Sequence, residues 1–297
     1  MSSEAERTDR PPVGLGWLWL LWRKVITIPR READARMEEA LADRGGRGAL
    51  DRKVVIVLVT TALCLTFLEY VGMSNRWRDA AALADTLGFP GLHDWLHATM
   101  GSSQDARINR LTWWGIGCFV AYFVIPVFVI RVVLREKLSD YGLRAGDAFR
   151  DGWIYAVFFA VMIPILWIVS LDPHFQEQYP FWRPGPGEGL WPHFYRWQFL
   201  YLLQFFALEF FFRGFMVHGL KDRMGFQAVL VMMVPYCMIH FGKPMAETIG
   251  AIIAGIALGA LSLKNRSIWM GVVIHCAVAL SMDLLSLWRT GHLGSWG

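Results

Sequence analysis

Seven stretches of this chain are predominantly apolar: residues 54–73, 111–133, 152–172, 196–217, 226–241, 247–263 and 267–288. A hydrocarbon core about 30 Å thick takes about 20 helical residues to cross. Five of the runs reach that length, and the fifth and sixth hold 16 and 17 residues. None alternates in the ten-residue pattern of a membrane barrel. Backbone placed in lipid must satisfy its own hydrogen bonds, so the runs predict helices. The expected fold is all-α, a polytopic membrane helix bundle of about seven transmembrane helices. Composition supports this. Apolar residues are 55% without counting Gly, and charged residues only 18%, against about 45–50% (Gly included) and about 25% in soluble domains. A soluble globule, a disordered chain and a disulfide scaffold are excluded on these grounds.

Of the 29 Lys and Arg, 21 lie in segments 1–53, 131–150, 213–223 and 264–266, and 8 lie in the alternate set. The positive-inside rule then predicts a cytoplasmic N-terminus, in an integral membrane protein of a bacterial inner membrane. Cys64, Cys118, Cys237 and Cys276 all fall inside apolar runs and read as packing residues. A net charge of +4 gives no reason to expect nucleic acid, and the expected partners at this point are membrane lipids.

Residues 1–12 are polar and read as a frayed tail. Residues 13–29, with Trp17, Trp19 and Trp22 before Arg23 and Lys24, predict an interfacial helix rather than a signal peptide. Residues 30–52 are charged, with Gly45-Gly46 as a break. The expected organisation is a tail with its interfacial helix at 1–53, two spans with a long outer loop at 54–136, a main membrane unit at 137–288 and a tail at 289–297. The outer loop 74–110 suggests short amphipathic helices near 78–87 and 92–99. The Pro- and aromatic-rich loop 173–195 suggests an ordered cap. Trp113, Trp114, Trp153, Trp197, Trp269 and Trp288 sit near span ends, as in an aromatic belt. Gly250, Ala251, Ala254, Gly255 and Gly259 predict close helix packing in the sixth run.

Ionisable groups inside a span are costly and need a reason. Glu209 and Arg213, four apart, share a helix face and can pair. His240 lies near the end of the fifth run, and His275 about 8 residues into the seventh. At about 1.5 Å per residue, Glu209, His275 and His240 lie roughly 15, 12 and 21 Å above the cytoplasmic ends of their spans. They can meet mid-bilayer. A carboxylate and two imidazoles converging in a dry cavity can activate water or hold a metal, and both options stay open. Asp283 either orients His275 or faces the outer water. Lys243 reads as an interface anchor and Glu69 as structural. The sequence His93-Asp94-Trp95-Leu96-His97 is similar to a zinc-protease helix. Its Asp is one methylene short for the base, and no third ligand is in view.

These residues carry a resemblance. Leu208-Glu209-Phe210-Phe211-Phe212-Arg213-Gly214, Tyr236-Cys237-Met238-Ile239-His240 and His275-Cys276-Ala277-Val278-Ala279 are similar, in order, to three motifs of the CPBP family, also called Abi or type II CAAX prenyl endopeptidases. Those motifs are two adjacent Glu, three residues and Arg-Gly; Phe, three residues and His; and His, three residues and Asn. The resemblance covers about 137–288 and implies an intramembrane endopeptidase whose partner is a membrane-anchored peptide or protein, such as a prenylated or C-terminal tail. By it, a Glu and His240 activate water, and His275 holds the oxyanion. Leu208 replaces the first Glu and Ala279 the closing Asn, so the water-activating carboxylate falls either to Glu209 or to Glu247, seven residues after His240. The resemblance implies no fixed cofactor. If a divalent metal such as zinc is present, Glu209, His240 and His275 are its ligands. Two other readings remain: a non-catalytic membrane binding or assembly factor derived from the family, and an ion or proton carrier.

Overall fold

The computed structural model describes residues 16–43, 51–145, 147–185 and 187–294. The tail at 1–12, the Gly45-Gly46 break and the last three residues lie outside the described residues. The described residues contain no strand, and the all-α bundle stands. Residues 16–42 form one helix, α1. It is followed by α2 (Arg52–Gly72), a hairpin of α3 (Trp77–Thr86) and α4 (Pro90–His97), α5 (Ala106–Leu134) and α6 (Gly152–Val169). Then come the short α7 (Pro173–Gln178), α8 (His193–Met224), α9 (Gln227–Met238), α10 (Met245–Asn265) and α11 (Trp269–Arg289).

Six of these, α2, α5, α6, α8, α10 and α11, are long and apolar enough to cross a membrane. The seventh expected span is different. The run 226–241 yields only the 12-residue α9, about 18 Å long at 1.5 Å per residue. Pro235 lies inside it, and the helix ends at Met238, with Gly242 at φ +86° in the turn that follows. Hydropathy registers the run's apolar character but not where its winding stops.

α1 runs further than the expected interfacial stretch. The segment after Pro29 is rich in Ala, Glu and Arg, which are good helix formers. Arg30–Asp34 and Arg36–Glu32 pair at 3.6 and 3.0 Å at i,i+4 spacing. Val25 packs with Ile154, Tyr155, Leu258 and Leu261. The Asp34 carboxylate accepts from the Phe226 amide at 2.9 Å, which satisfies a donor at the start of α9. Trp17 and Trp22 remain 65% and 60% exposed, as a membrane-facing helix requires.

Helix α8 is the centre of the bundle. In its most apolar window 72% of residues are buried, against 17–44% in the other five long helices. All nine residues of its π-wound stretch Phe210–His218 are buried. One apolar cluster joins this stretch to Val57 and Cys64 of α2, Cys118 and Tyr122 of α5, and Val229 and Met232 of α9. α9 lies close along α10, where a side chain at Gly259 would meet Val229 at 2.8 Å and one at Gly255 would meet the Tyr236 ring at 3.1 Å. The small residues of the sixth run therefore let α9 approach.

At one end of the bundle, Asp51 caps α2 by accepting from the Lys53 and Val54 amides. Glu136 there accepts from Lys53 and from the Tyr141 hydroxyl. Burial pushes its carboxyl up, but these hydrogen bonds and the charges of Lys53 and Lys221 outweigh burial and hold it below the ordinary range. Lys264 and Asp151 pair at 2.7 Å with side chains only 6% and 8% exposed. Removing one partner leaves the other charge buried and unmatched, a loss of about 3–5 kcal/mol. Lys264→Met is expected to lower stability by that amount in detergent-based unfolding. A loss below about 1 kcal/mol would show the pair to be dispensable.

At the opposite end, the 173–195 loop is the ordered cap that its composition predicts. Phe181 packs edge-on to Trp114, Trp197 and Tyr201, at ring separations of 5.1, 5.8 and 5.7 Å. Trp182 and Leu190 are buried in the same cluster. The Ser286 hydroxyl donates to the Tyr179 carbonyl and ties the cap to α11. The four cysteines are free thiols.

Candidate active site

Three neighbouring helices supply the site. Glu209 ends the regular part of α8, and its side chain has no solvent exposure. Arg213, one turn on, is equally buried and places Nη1 3.0 Å from Glu209 Oε1. The same Oε1 accepts from His275 Nδ1 of α11 at 2.5 Å. Gly271, one turn before His275, faces the carboxylate so closely that a Cβ there would collide with Glu209 Oε2. A glycine is therefore what lets α11 reach the buried acid. Glu209 Oε2 itself has no hydrogen-bond partner.

Tyr236 of α9 joins these groups to His240. Its hydroxyl lies 3.0 Å from His275 Nε2. With Nδ1 donating to the carboxylate, a neutral His275 accepts the Tyr236 proton at Nε2. The Arg213 guanidinium sits over the Tyr236 ring at 4.2 Å, a favourable cation–π contact in a dry setting. The Tyr236 carbonyl accepts from His240 Nδ1 at 2.8 Å. That bond places the His240 proton on Nδ1 and leaves Nε2 as an unprotonated nitrogen. Phe205 stacks on the His275 ring at 5.5 Å.

Glu247 stands at the start of α10, on the side of the cap. Lys243 pairs with it at 2.6 Å, and the Tyr179 hydroxyl donates to it at 3.3 Å. Burial first, and then the Glu247 carboxylate, push the Tyr179 hydroxyl well above its ordinary range, so it stays a donor. The Thr248 hydroxyl donates to the His240 carbonyl at 3.0 Å and fixes the 239–244 turn. Glu247 and Lys243 both act electrostatically on His240.

The structure thus brings Glu209, Arg213 and His275 into direct contact, with His240 reaching them through Tyr236. Tyr236 went unnoticed as a functional residue. The signal was present, since it stands where the second motif has Phe and a hydroxyl in an apolar run needs a partner. Lys243 is a partner of Glu247 rather than only an interface anchor. Asp283 does neither of the things expected of it. It has no exposure and accepts from the Gln198 side chain, because it lies beneath the cap and not in the outer water. Glu69 pairs with Arg76 at 3.5 Å. The His93 and His97 rings meet at 4.5 Å, tilted by 42°, in α4, and His93 contacts Asp94.

A metal does not fit the expected set as it is placed. Glu209 and His275 are engaged with each other and with Arg213 and Tyr236, and His240 is turned to a backbone carbonyl. Among the described residues, no three His, Cys, Asp or Glu side chains are grouped for a metal. Leu208 and Ala279 are each buried in an apolar cluster.

Residues 190–281 match the family model described as type II CAAX prenyl endopeptidase Rce1-like. This stretch belongs to the Rce1-like family. No curated protein and no solved structure matches the chain. The Rce1-like region runs from the cap residue Leu190 through α8, α9 and α10 to Ser281 of α11, and so contains every residue of the Glu209–Arg213–Tyr236–His240–His275 cluster, and Glu247. The chain is an integral membrane protein, and its residues 190–281 are the part of CAAX-protease type.

Proposed function

We propose that this chain is an intramembrane endopeptidase that hydrolyses a peptide bond in a membrane-anchored substrate, such as a prenylated or C-terminal tail. The observation that carries this reading is the fixed tautomer of His240. Its Nε2 is a free base on a half-buried ring, and Glu247, seven residues on at the same end of the bundle, is a carboxylate held by Lys243 and Tyr179 rather than by the buried Arg213. In this mechanism water lies between His240 Nε2 and the Glu247 carboxylate. His240 takes its proton as the oxygen attacks the peptide carbonyl, then returns it to the leaving amine. By the family resemblance His275 holds the oxyanion, a role that needs a second proton on Nε2 in place of the bond Nε2 accepts from the Tyr236 hydroxyl in this structure. Glu209 and Arg213 hold that imidazole in place and do not touch water.

The Lys and Arg asymmetry supports a cytoplasmic N-terminus in a bacterial inner membrane, with the Glu247 end facing out. The partners are lipids and membrane-anchored peptides. A second reading, a binding or assembly factor that does not cut, draws on Leu208 and Ala279, whose positions the family fills with polar groups.

The test uses the purified full chain in liposomes with a lipid-anchored peptide. The expected result is a cleaved product whose rate falls about 100-fold or more in Glu247→Gln. Full proteolysis by Glu247→Gln, with Glu209→Gln inactive, would reassign the water to Glu209. Peptide retention without product would favour the binding factor, and charge movement without product the ion carrier.

A further inference from the structure

The α3–α4 hairpin has two apolar faces, and its own packing uses one of them. Trp77, Ala80, Ala81, Leu96 and Met100 form a small separate cluster, with Val71 and Trp113 at its base. On the other face Leu83, Leu87, Phe89, Leu92 and Trp95 are 46%, 63%, 60%, 44% and 53% exposed. The tip that carries three of them, Thr86-Leu87-Gly88-Phe89-Pro90-Gly91-Leu92, contains no charged residue, while Asp85 and His93-Asp94 flank it. The hairpin is fixed to span ends. The Trp113 indole donates to the Val71 carbonyl at 2.8 Å, and the Asn109 amide to the Thr99 carbonyl at 3.0 Å. Val71 closes one long membrane helix and Asn109 opens the next, so the base of the hairpin lies at the rim of the bilayer.

We infer that this face is a membrane-surface anchor, with the tip side chains seated among the headgroups and upper acyl chains of the leaflet at that end. Three features select lipid as the occupant. The hairpin is tied to the ends of two spans long and apolar enough to cross the bilayer, which sets it at the level where they leave it. A tip of large exposed apolar side chains with no charge within it suits acyl chains. The carboxylates on either side of the tip set a depth beyond which charge does not enter. Gly88, at φ +81°, makes the turn that a residue with a side chain would strain.

The experiment places a nitroxide label at Leu87→Cys, Phe89→Cys and, as an aqueous reference, Arg144→Cys, in the full chain in phosphatidylcholine and phosphatidylglycerol liposomes. The unsubstituted chain, labelled in parallel, gives the background from Cys237 and Cys276. All three sites are exposed, so the fold is retained. At 87 and 89, collision with oxygen is expected to exceed collision with a water-soluble nickel chelate, with the ratio reversed at 144. Nickel collision at 87 and 89 equal to that at 144 would overturn the inference. So would low collision with both reagents together with spin–spin broadening that grows with protein density, since a second copy would then cover the face.

Discussion

Glu209→Ala is expected to lower the stability of the folded chain by about 3–5 kcal/mol, read as unfolding in mild detergent. The carboxylate is fully buried and neutralises Arg213 at 3.0 Å while holding His275 at 2.5 Å. Without it, the contact left to Arg213 among the described residues is the Tyr236 ring at 4.2 Å. A cation–π contact of about 2 kcal/mol does not match the cost of an unpaired buried charge. The double variant Glu209→Ala/Arg213→Met removes both charges and is expected to recover much of the loss, since apolar replacement of a buried pair is often near neutral. A single variant as stable as the parent would show that water reaches Arg213 and that the cluster is not dry.

His240→Ala is expected to reduce cleavage of the anchored peptide by about 100- to 10,000-fold, the range for loss of a positioned general base. The fold is expected to survive, because the one side-chain bond lost is that from Nδ1 to the Tyr236 carbonyl, and Thr248 still bonds the backbone carbonyl of residue 240. Equal unfolding temperatures with a collapsed rate separate chemistry from structure. Undiminished cleavage would remove His240 from the mechanism, and with it the role given to Glu247.

The charged positions were the most legible part of the sequence. Glu209, Arg213 and His275 stood out because lipid admits ionisable groups only with partners, and depth counting put them at one level. Tyr236 did not stand out, since an aromatic residue in an apolar run looks like core and only the tertiary fold turns its hydroxyl toward an imidazole. Asp283 was misread for a related reason: position along a helix does not reveal a loop folded over its end. The length of α9 was hidden because hydropathy stays high across 226–241, while the winding stops at Met238, ahead of the turn through Gly242. The continuation of α1 through residues 30–42 follows from i,i+4 charge pairs, which a count of charge alone does not register.

Tyr236 uses two of its atoms on two imidazoles, the carbonyl on His240 and the hydroxyl on His275. Its ring rests against the place where Gly255 has no side chain. The two histidines therefore share one fulcrum. A slide or rotation of α9 against α10 shifts the tautomer-fixing bond of one and the hydroxyl offered to the other together. One joint between α9 and α10 thus bears on both imidazoles, while α8 and α11 hold the far side of His275 through Glu209.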